Sequence, residues 1–326
     1  MDAALRPLTT SQVLDRTFQL YKKHFLLFVG IAVVGPGLLL IASLIQLAVL
    51  GVPAMPDPQK IDPLLLKAFF ARVFLGIAVN IVVWTVGNAI ATGATIHAVS
   101  MVHLGKETTI IDSYGSLKSI FWRLLWVIVR VFFITWGPSI AAYLLIVAGI
   151  FSMVFLPKIA GGIGAVVILL VLWLLAVAGL FGAVIWFIYA YCRYALAVPA
   201  CAVEGLPAKY AIIRSKFLSK GSFWRIFAIF ALTILLGIGL TSVLQVPAFF
   251  FANPFRMQAG PVNAGYLFFA QLGEFLGRTL AGPIATIAIA LVYYDERVRK
   301  EAFDLQLMME NLSSSGSQAA VSAGSN

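Results

Sequence analysis

Asn80, Asn88, Thr92, Thr95 and His97 make residues 73–102 the most polar of the long uncharged stretches. Asn88, Thr92 and Thr95 stand at i, i+4 and i+7, so a helix carries them on one face. Hydrocarbon offers an amide or hydroxyl no partner, so such a face must turn toward protein or water. It serves either as hydrogen-bonding glue between helices or as the polar lining of a path for a solute or lipid headgroup. Four arginines suggest a second kind of chemistry. Arg123 and Arg130, at i and i+7, share a helix face and lie about 10 Å apart along its axis. Arg193 sits in the run Tyr189-Ala190-Tyr191-Cys192-Arg193-Tyr194, and Arg225 follows Phe223-Trp224. A guanidinium matches phosphate geometry, which makes these four candidate anion or headgroup contacts. The plainer reading is that they snorkel and anchor helices at the membrane surface.

Other chemistry finds little support. His24, His97 and His103 have no metal-ligand spacing. Cys192 and Cys201 read as small apolar residues of a helix core. The nucleophile elbow and the phosphate loop are absent. Gly162-Ile163-Gly164 and Gly237-Ile238-Gly239 lack the third glycine and the flanking strand of a dinucleotide fingerprint, and read as points where helices approach closely. Only 13 residues are acidic, and the spans described next leave none of them at mid-membrane. Neither two-carboxylate acid–base catalysis nor an intramembrane carboxylate relay is expected. No catalytic residue, metal or cofactor is predicted.

The elements that must position these side chains follow from composition. Hydrophobic residues make up 61% of the chain and charged residues 11%, against roughly 45–50% and about 25% in soluble domains. That excludes an ordinary soluble enzyme, a disordered chain and a disulfide scaffold. It also argues against a nucleic-acid partner, despite a net charge of +10. Uncharged runs of about the 20 residues needed to cross a bilayer occur at 25–50, 73–102, 131–156, 159–192 and 226–255. A sixth, 279–294, is extended by 275–277 if Arg278 snorkels at its outer end. The prediction is an all-α membrane protein with six transmembrane helices. Continuous apolar runs do not fit the alternation of barrel strands, and the first run is too long for a signal peptide. Seventeen of the 23 Lys and Arg fall on the side holding the N-terminus, the 2–3 and 4–5 loops and the C-terminus. Positive charge marks the cytoplasmic face, so both chain ends are expected there. The basicity then reflects topology and attraction to anionic lipid.

The chain divides into a cytoplasmic amphipathic segment (1–24), a six-helix membrane domain with a cytoplasmic exit helix (25–311) and a disordered tail (312–326). Thr9-x-x-Gln12 fits a capping box. Lys22–Phe25, Lys118–Phe121 and Lys220–Phe223 each precede an odd-numbered span with the same spacing. The pattern fits three repeats of an interfacial helix plus a helical hairpin, beside the simpler reading that basic aromatic segments flank membrane helices generally. In the third copy Lys216 and Ser219 replace apolar residues and Gly221 interrupts. Residues 51–67 and 253–265 read as external loops and Pro157-Lys158 as a tight turn. Pro36, Pro138, Pro199 and Pro283 can break or kink their helices. Asp295–Arg299, Glu296–Lys300, Arg297–Glu301 and Lys300–Asp304 form an i, i+4 ladder, read as a solvated surface or a docking face for a cytoplasmic partner.

Three stretches together resemble the membrane-domain family of glycerophosphoryl diester phosphodiesterases. They are Arg6-Pro7-Leu8 with Leu14-Asp15-Arg16-Thr17-Phe18 and Tyr21-Lys22-Lys23; Pro199, Glu204-Gly205, Arg214-Ser215, Leu218, Gly221 and Trp224-Arg225; and Tyr293-Tyr294-Asp295 through Leu305. The resemblance implies a six-helix domain of a bacterial cytoplasmic membrane, in some members fused to a soluble phosphodiesterase barrel. Nothing here corresponds to that barrel, so no diesterase residue carries over. The expected function is a non-catalytic membrane domain that engages anionic lipid or anchors a cytoplasmic partner, with a permease or lipid translocator as the alternative.

Overall fold

The computed structural model describes residues 8–51, 63–103, 105–159, 163–252 and 264–301. Every regular element among them is helical. In order they are α1 (Thr10–Lys23), α2 (Phe25–Ala32), α3 (Val34–Leu50), α4 (Pro63–His103), α5 (Ile110–Gly115) with a 3-10 turn at Ser116–Ser119, α6 (Phe121–Ile159), α7 (Ile163–Tyr194), α8 (Ala197–Glu204), α9 (Ala208–Ser219), α10 (Phe223–Ala252) and α11 (Ala264–Glu301). Six stretches are long and apolar enough to cross a membrane: Phe25–Leu50, Lys67–His103, Phe121–Gly149, Val166–Glu204, Phe223–Phe250 and Gly265–Glu301. The chain is an all-α, multi-pass membrane protein.

Helix ends follow local chemistry, with some corrections. Thr9 caps α1 as expected, its side chain accepting from the Gln12 amide while Gln12 reaches back to Thr9. Thr109 and Asp112 build the same box on α5. Residues 63–67, expected in a loop, already belong to α4, because proline is tolerated in a first turn, where amides have no intrahelical acceptor. Pro157-Lys158 is likewise helical, inside α6. Pro36 and Pro199 lie in the first turns of α3 and α8, just after breaks at Val33 and at Ala195–Leu196. Pro283 is absorbed within α11. The predicted tail at 312–326, Asp304 and most of the 253–265 loop lie outside the described residues.

The long helices pair as α3 with α4, α6 with α7 and α10 with α11, and α11 also touches α1, α2, α3, α4, α8 and α9. Counting from Lys22, Lys118 and Lys220, burial recurs at identical offsets. Thr17, Ser113 and Ser215, five residues before, are fully buried; so, almost completely, are Phe28, Leu124 and Ile226 six after, and Ile31, Val127 and Ile229 nine after. Ser219 occupies an expected apolar position because, with Ser215, it donates to the Arg193 carbonyl (3.2 and 2.9 Å). Gly221 has φ +83°, so it turns the chain into α10 where a side chain would be strained. The amphipathic segment does not lie free on the bundle. Leu8 bonds Asp295 at one end of α1, and Tyr21 donates to the Leu280 carbonyl at the other. Those α11 positions are about 22 Å apart, so α1 leans along α11.

Candidate functional site

The buried core gathers at the end of the bundle that holds Leu8 and Glu301. We call it the basic end. Two ion-pair centres lie there. In the first, the Arg225 guanidinium sits 2.5 Å from Asp295 and 2.9 Å from Glu296 and donates to the Leu8 carbonyl. Glu296 is 0% exposed and takes further bonds from Ser222 and Lys300. Lys300 also donates to the Leu218 and Lys220 carbonyls at the end of α9. Arg299 joins Asp295 to Leu8. In the second centre, Arg214 bridges Glu204 and Glu301, with Arg297 on both carboxylates and the Tyr293 hydroxyl on Glu204. These hydrogen bonds hold the Arg214 guanidinium protonated, its pKa raised far above the usual arginine value.

Three of the predicted ladder pairs therefore exist, Asp295–Arg299, Glu296–Lys300 and Arg297–Glu301. Their carboxylates are not solvated: Asp295, Glu296 and Glu301 turn toward Arg225, Lys300 and Arg214, and only Arg299 stays exposed. Arg225 also departs from its predicted role, since two buried carboxylates and a carbonyl engage it and turn it inward. Arg123 donates to the Gly205 carbonyl beyond α8 (3.0 Å). Arg130 lies over the Trp126 ring and Arg193 over Tyr189. Both arrangements suit anchors at a membrane surface. Cys192 and Cys201 are free thiols within the core.

The other half of the bundle is open. α10 follows α11 and makes no extended contact with α3 or α4 among the described residues. The space between is a cleft of about 490 Å³, walled by α3 and α4 on one side and α10 on the other, with α11 as its floor. Glycines hold each wall. A Cβ on Gly35 of α3 would lie 3.0 Å from the Gly87 carbonyl of α4, and one on Gly277 of α11 would lie 2.6 Å from Thr241 of α10. Small residues thus clamp the pairs and leave the gap between pairs unfilled.

Asn88, Thr92 and Thr95 all line this cleft. Their hydrogen bonds stay within α4: Thr92 donates to the side-chain Oδ1 of Asn88 and Thr95 to the Ala91 carbonyl. Among the described residues the stripe forms no bond to another helix. Asn80 instead lines an adjoining cavity of about 680 Å³ and donates to Gln46 of α3. His97 lines neither cavity, and Arg130 does not reach the cleft.

Sequence reasoning missed the charged part of this site. Glu274 and Arg278 line both cavities and form an i, i+4 ion pair (2.7 Å). Arg278 is not at the outer end of its span. α11 continues 14 residues past it to Ala264, and Phe268, ten residues out, is still exposed, like Phe249 and Phe250 at the matching level of α10. At about 1.5 Å per residue the apolar surface runs some 15 Å beyond Arg278. An acid and a base therefore lie within the candidate span Gly265–Glu301, which starts further out than the predicted one and so takes in Glu274. Their i, i+4 spacing inside an apolar run was the available signal. Gln245, Ser242, Thr233, Thr241 and Thr286 complete the polar lining. No group of three His, Cys, Asp or Glu side chains suited to a metal occurs among the described residues. No family model, curated protein or solved structure matches this chain.

Proposed function

We propose that this protein is a non-catalytic membrane domain that engages anionic lipid, with the cleft as its lipid site. One observation carries the reading: a polar stripe, Asn88, Thr92 and Thr95, faces an unfilled gap between α4 and α10 and, among the described residues, spends no hydrogen bond on a neighbouring helix. Polar lining inside an apolar wall suits a molecule with an apolar body and a polar head. The charge of that head follows from the basic end. Lys118, Lys209 and Lys220 are exposed around the buried core with no acidic partner among the described residues, beside Trp122 and Trp224, each 77% exposed. Such a cation–aromatic rim favours anionic lipid surfaces. On this reading the rim faces the cytoplasm of a bacterial cell, with both chain ends there. The test is lipid retained through gentle detergent extraction and identified by mass spectrometry. Anionic phospholipid enriched over its membrane abundance, and reduced in Asn88→Leu, supports the proposal; a retained set with bulk composition defeats it.

A lipid translocator is the second reading. It is favoured by the run of cleft side chains from Arg278 to Thr95 and Thr286, which continues the polar lining toward the basic end. Lipid scrambling in proteoliposomes, abolished by Asn88→Leu, would select it. We also propose membership of the phosphodiesterase membrane-domain family. Residues of the resemblance contributed by separate stretches, Leu8, Glu204, Arg214, Arg225, Tyr293 and Asp295, converge on the two ion-pair centres. That supports a shared structural signature and not a catalytic one. A cytoplasmic partner would meet the rim, since the ladder is used internally; crosslinking from Lys209 and Lys220 tests that contact.

A further inference from the structure

We infer that Arg278 is the contact for a phosphate group entering the cleft, and that Glu274 is its resident counter-ion, displaced when the phosphate binds. The inference rests on the lipid reading of the cleft and adds the site and chemistry of the headgroup. A charge at this depth is expensive unless it is paired or serves a pathway. Here the pairing is partial. Both Nε and Nη2 of Arg278 address the same oxygen of Glu274, Oε1 (2.9 and 2.7 Å). Among the described residues Nη1 has no partner and the second carboxylate oxygen accepts from none. The two side chains remain 46% and 43% exposed. This contrasts with Arg225 and Arg214, each of which holds two carboxylates. A planar guanidinium with donors to spare is suited to a phosphate, which it can take in two parallel hydrogen bonds. Gln245 and Asn88 line the same cavity and can donate to further phosphate oxygens. The apolar walls, with Leu39, Ile234 and Ile238, are fit to hold acyl chain. In the absence of ligand, Glu274 neutralises Arg278; a doubly bonded phosphate replaces it, and Glu274 is free to turn toward the adjoining cavity that it also lines.

The experiment compares dioleoyl phosphatidic acid, dioleoylglycerol and inorganic phosphate as stabilisers of purified protein against thermal unfolding, in wild type, Arg278→Gln and Glu274→Gln. Phosphatidic acid is expected to bind wild type about tenfold better than dioleoylglycerol, the loss of one charge-assisted contact being of that size. Arg278→Gln should erase the difference, and Glu274→Gln should widen it by removing the competing carboxylate. The opposite sign for Glu274→Gln keeps the test valid if Arg278→Gln fails to fold. Protection by inorganic phosphate with the same response to both variants upholds the phosphate contact and identifies a soluble phosphate as its source. Equal binding of phosphatidic acid and dioleoylglycerol by wild type overturns this inference; the cleft remains a lipid site, and the anionic preference then rests on the rim alone. Binding of neither lipid, with no effect of inorganic phosphate, overturns both. A phosphatidic acid preference unchanged in Arg278→Gln, or weakened in Glu274→Gln, also overturns the contact.

Discussion

The two ends of the bundle solve opposite problems with the same residue types. At the basic end the two central arginines each meet two carboxylates: Arg225 meets Asp295 and Glu296, and Arg214 meets Glu204 and Glu301. Short helices fill the spaces between long ones, and apolar side chains close around them. In the half beyond Thr95 no short helix is inserted among the described residues, the helix pairs separate, and the interior charges Glu274 and Arg278 stay accessible. The lesson concerns the purpose of buried charge. A network in which each arginine holds two carboxylates fixes how α8, α9, α10, α11 and the start of the chain meet, at a desolvation cost repaid only while those carboxylates are present. A half-partnered pair fixes little and can exchange partners. The first is suited to holding a shape and the second to receiving something.

Mutations can break that comparison. The largest effect is expected from Arg225→Ala, which leaves Glu296 and Asp295 buried without their cation; about 3–5 kcal/mol of stability should be lost, measured by unfolding in detergent. Adding Glu296→Gln and Asp295→Asn should recover a large share, and no recovery would show that steric loss dominates. Next comes Gly277→Val, which drives a side chain into Thr241 and should cost about 1–3 kcal/mol, whereas Gly239→Ala, with open space around it, should stay within about 0.5 kcal/mol. Tyr114→Phe should cost about 1 kcal/mol by removing the bond to the Ile31 carbonyl. Burial pushes the Tyr114 hydroxyl up to about 12 from its ordinary value of 10.0. The folded value is the higher one, so its contribution is complete below pH 10 and disappears as pH rises through about 12. The wild-type minus Tyr114→Phe difference should shrink over that window; a constant difference would sink the assignment. Smallest in stability is Asn88→Leu, expected within about 0.5 kcal/mol because Asn88 bonds only within its own helix, yet expected to lower lipid retention. A large stability loss there would make the stripe structural glue and erase the contrast between the ends.

Much of the architecture follows from local chemistry that one dimension can carry. Hydropathy is summed along the chain, so six spans could be counted without knowing any neighbour. A capping box closes within four residues, so Thr9 and Gln12 were legible. The faces of α4 were legible for the same reason: helical periodicity alone puts Asn88, Thr92 and Thr95 together. The i, i+4 ladder on α11 was legible as pairs, because both partners lie on one helix.

Burial was not, because it depends on what the rest of the chain brings. Glu296 is sealed by Ser222, Arg225 and Lys300, two of them from α10 and its approach, far away in sequence. Whether a polar stripe becomes glue or lining depends on how far away the facing helix lies, and glycine contacts at Gly35, Gly87, Gly273 and Gly277 set that spacing only after the helices have paired. Arg278 shows the limit most sharply. Counting uncharged residues stops at a charge and so assigns it to an edge, whereas its real depth is set by neighbouring helices and by the apolar surface that continues past it to Phe268. Sequence determined which segments prefer hydrocarbon and which side chains share a face, since both are properties of a single helix. The tertiary structure alone decided which charges are sealed and which face a cleft, since both are properties of the distances between helices.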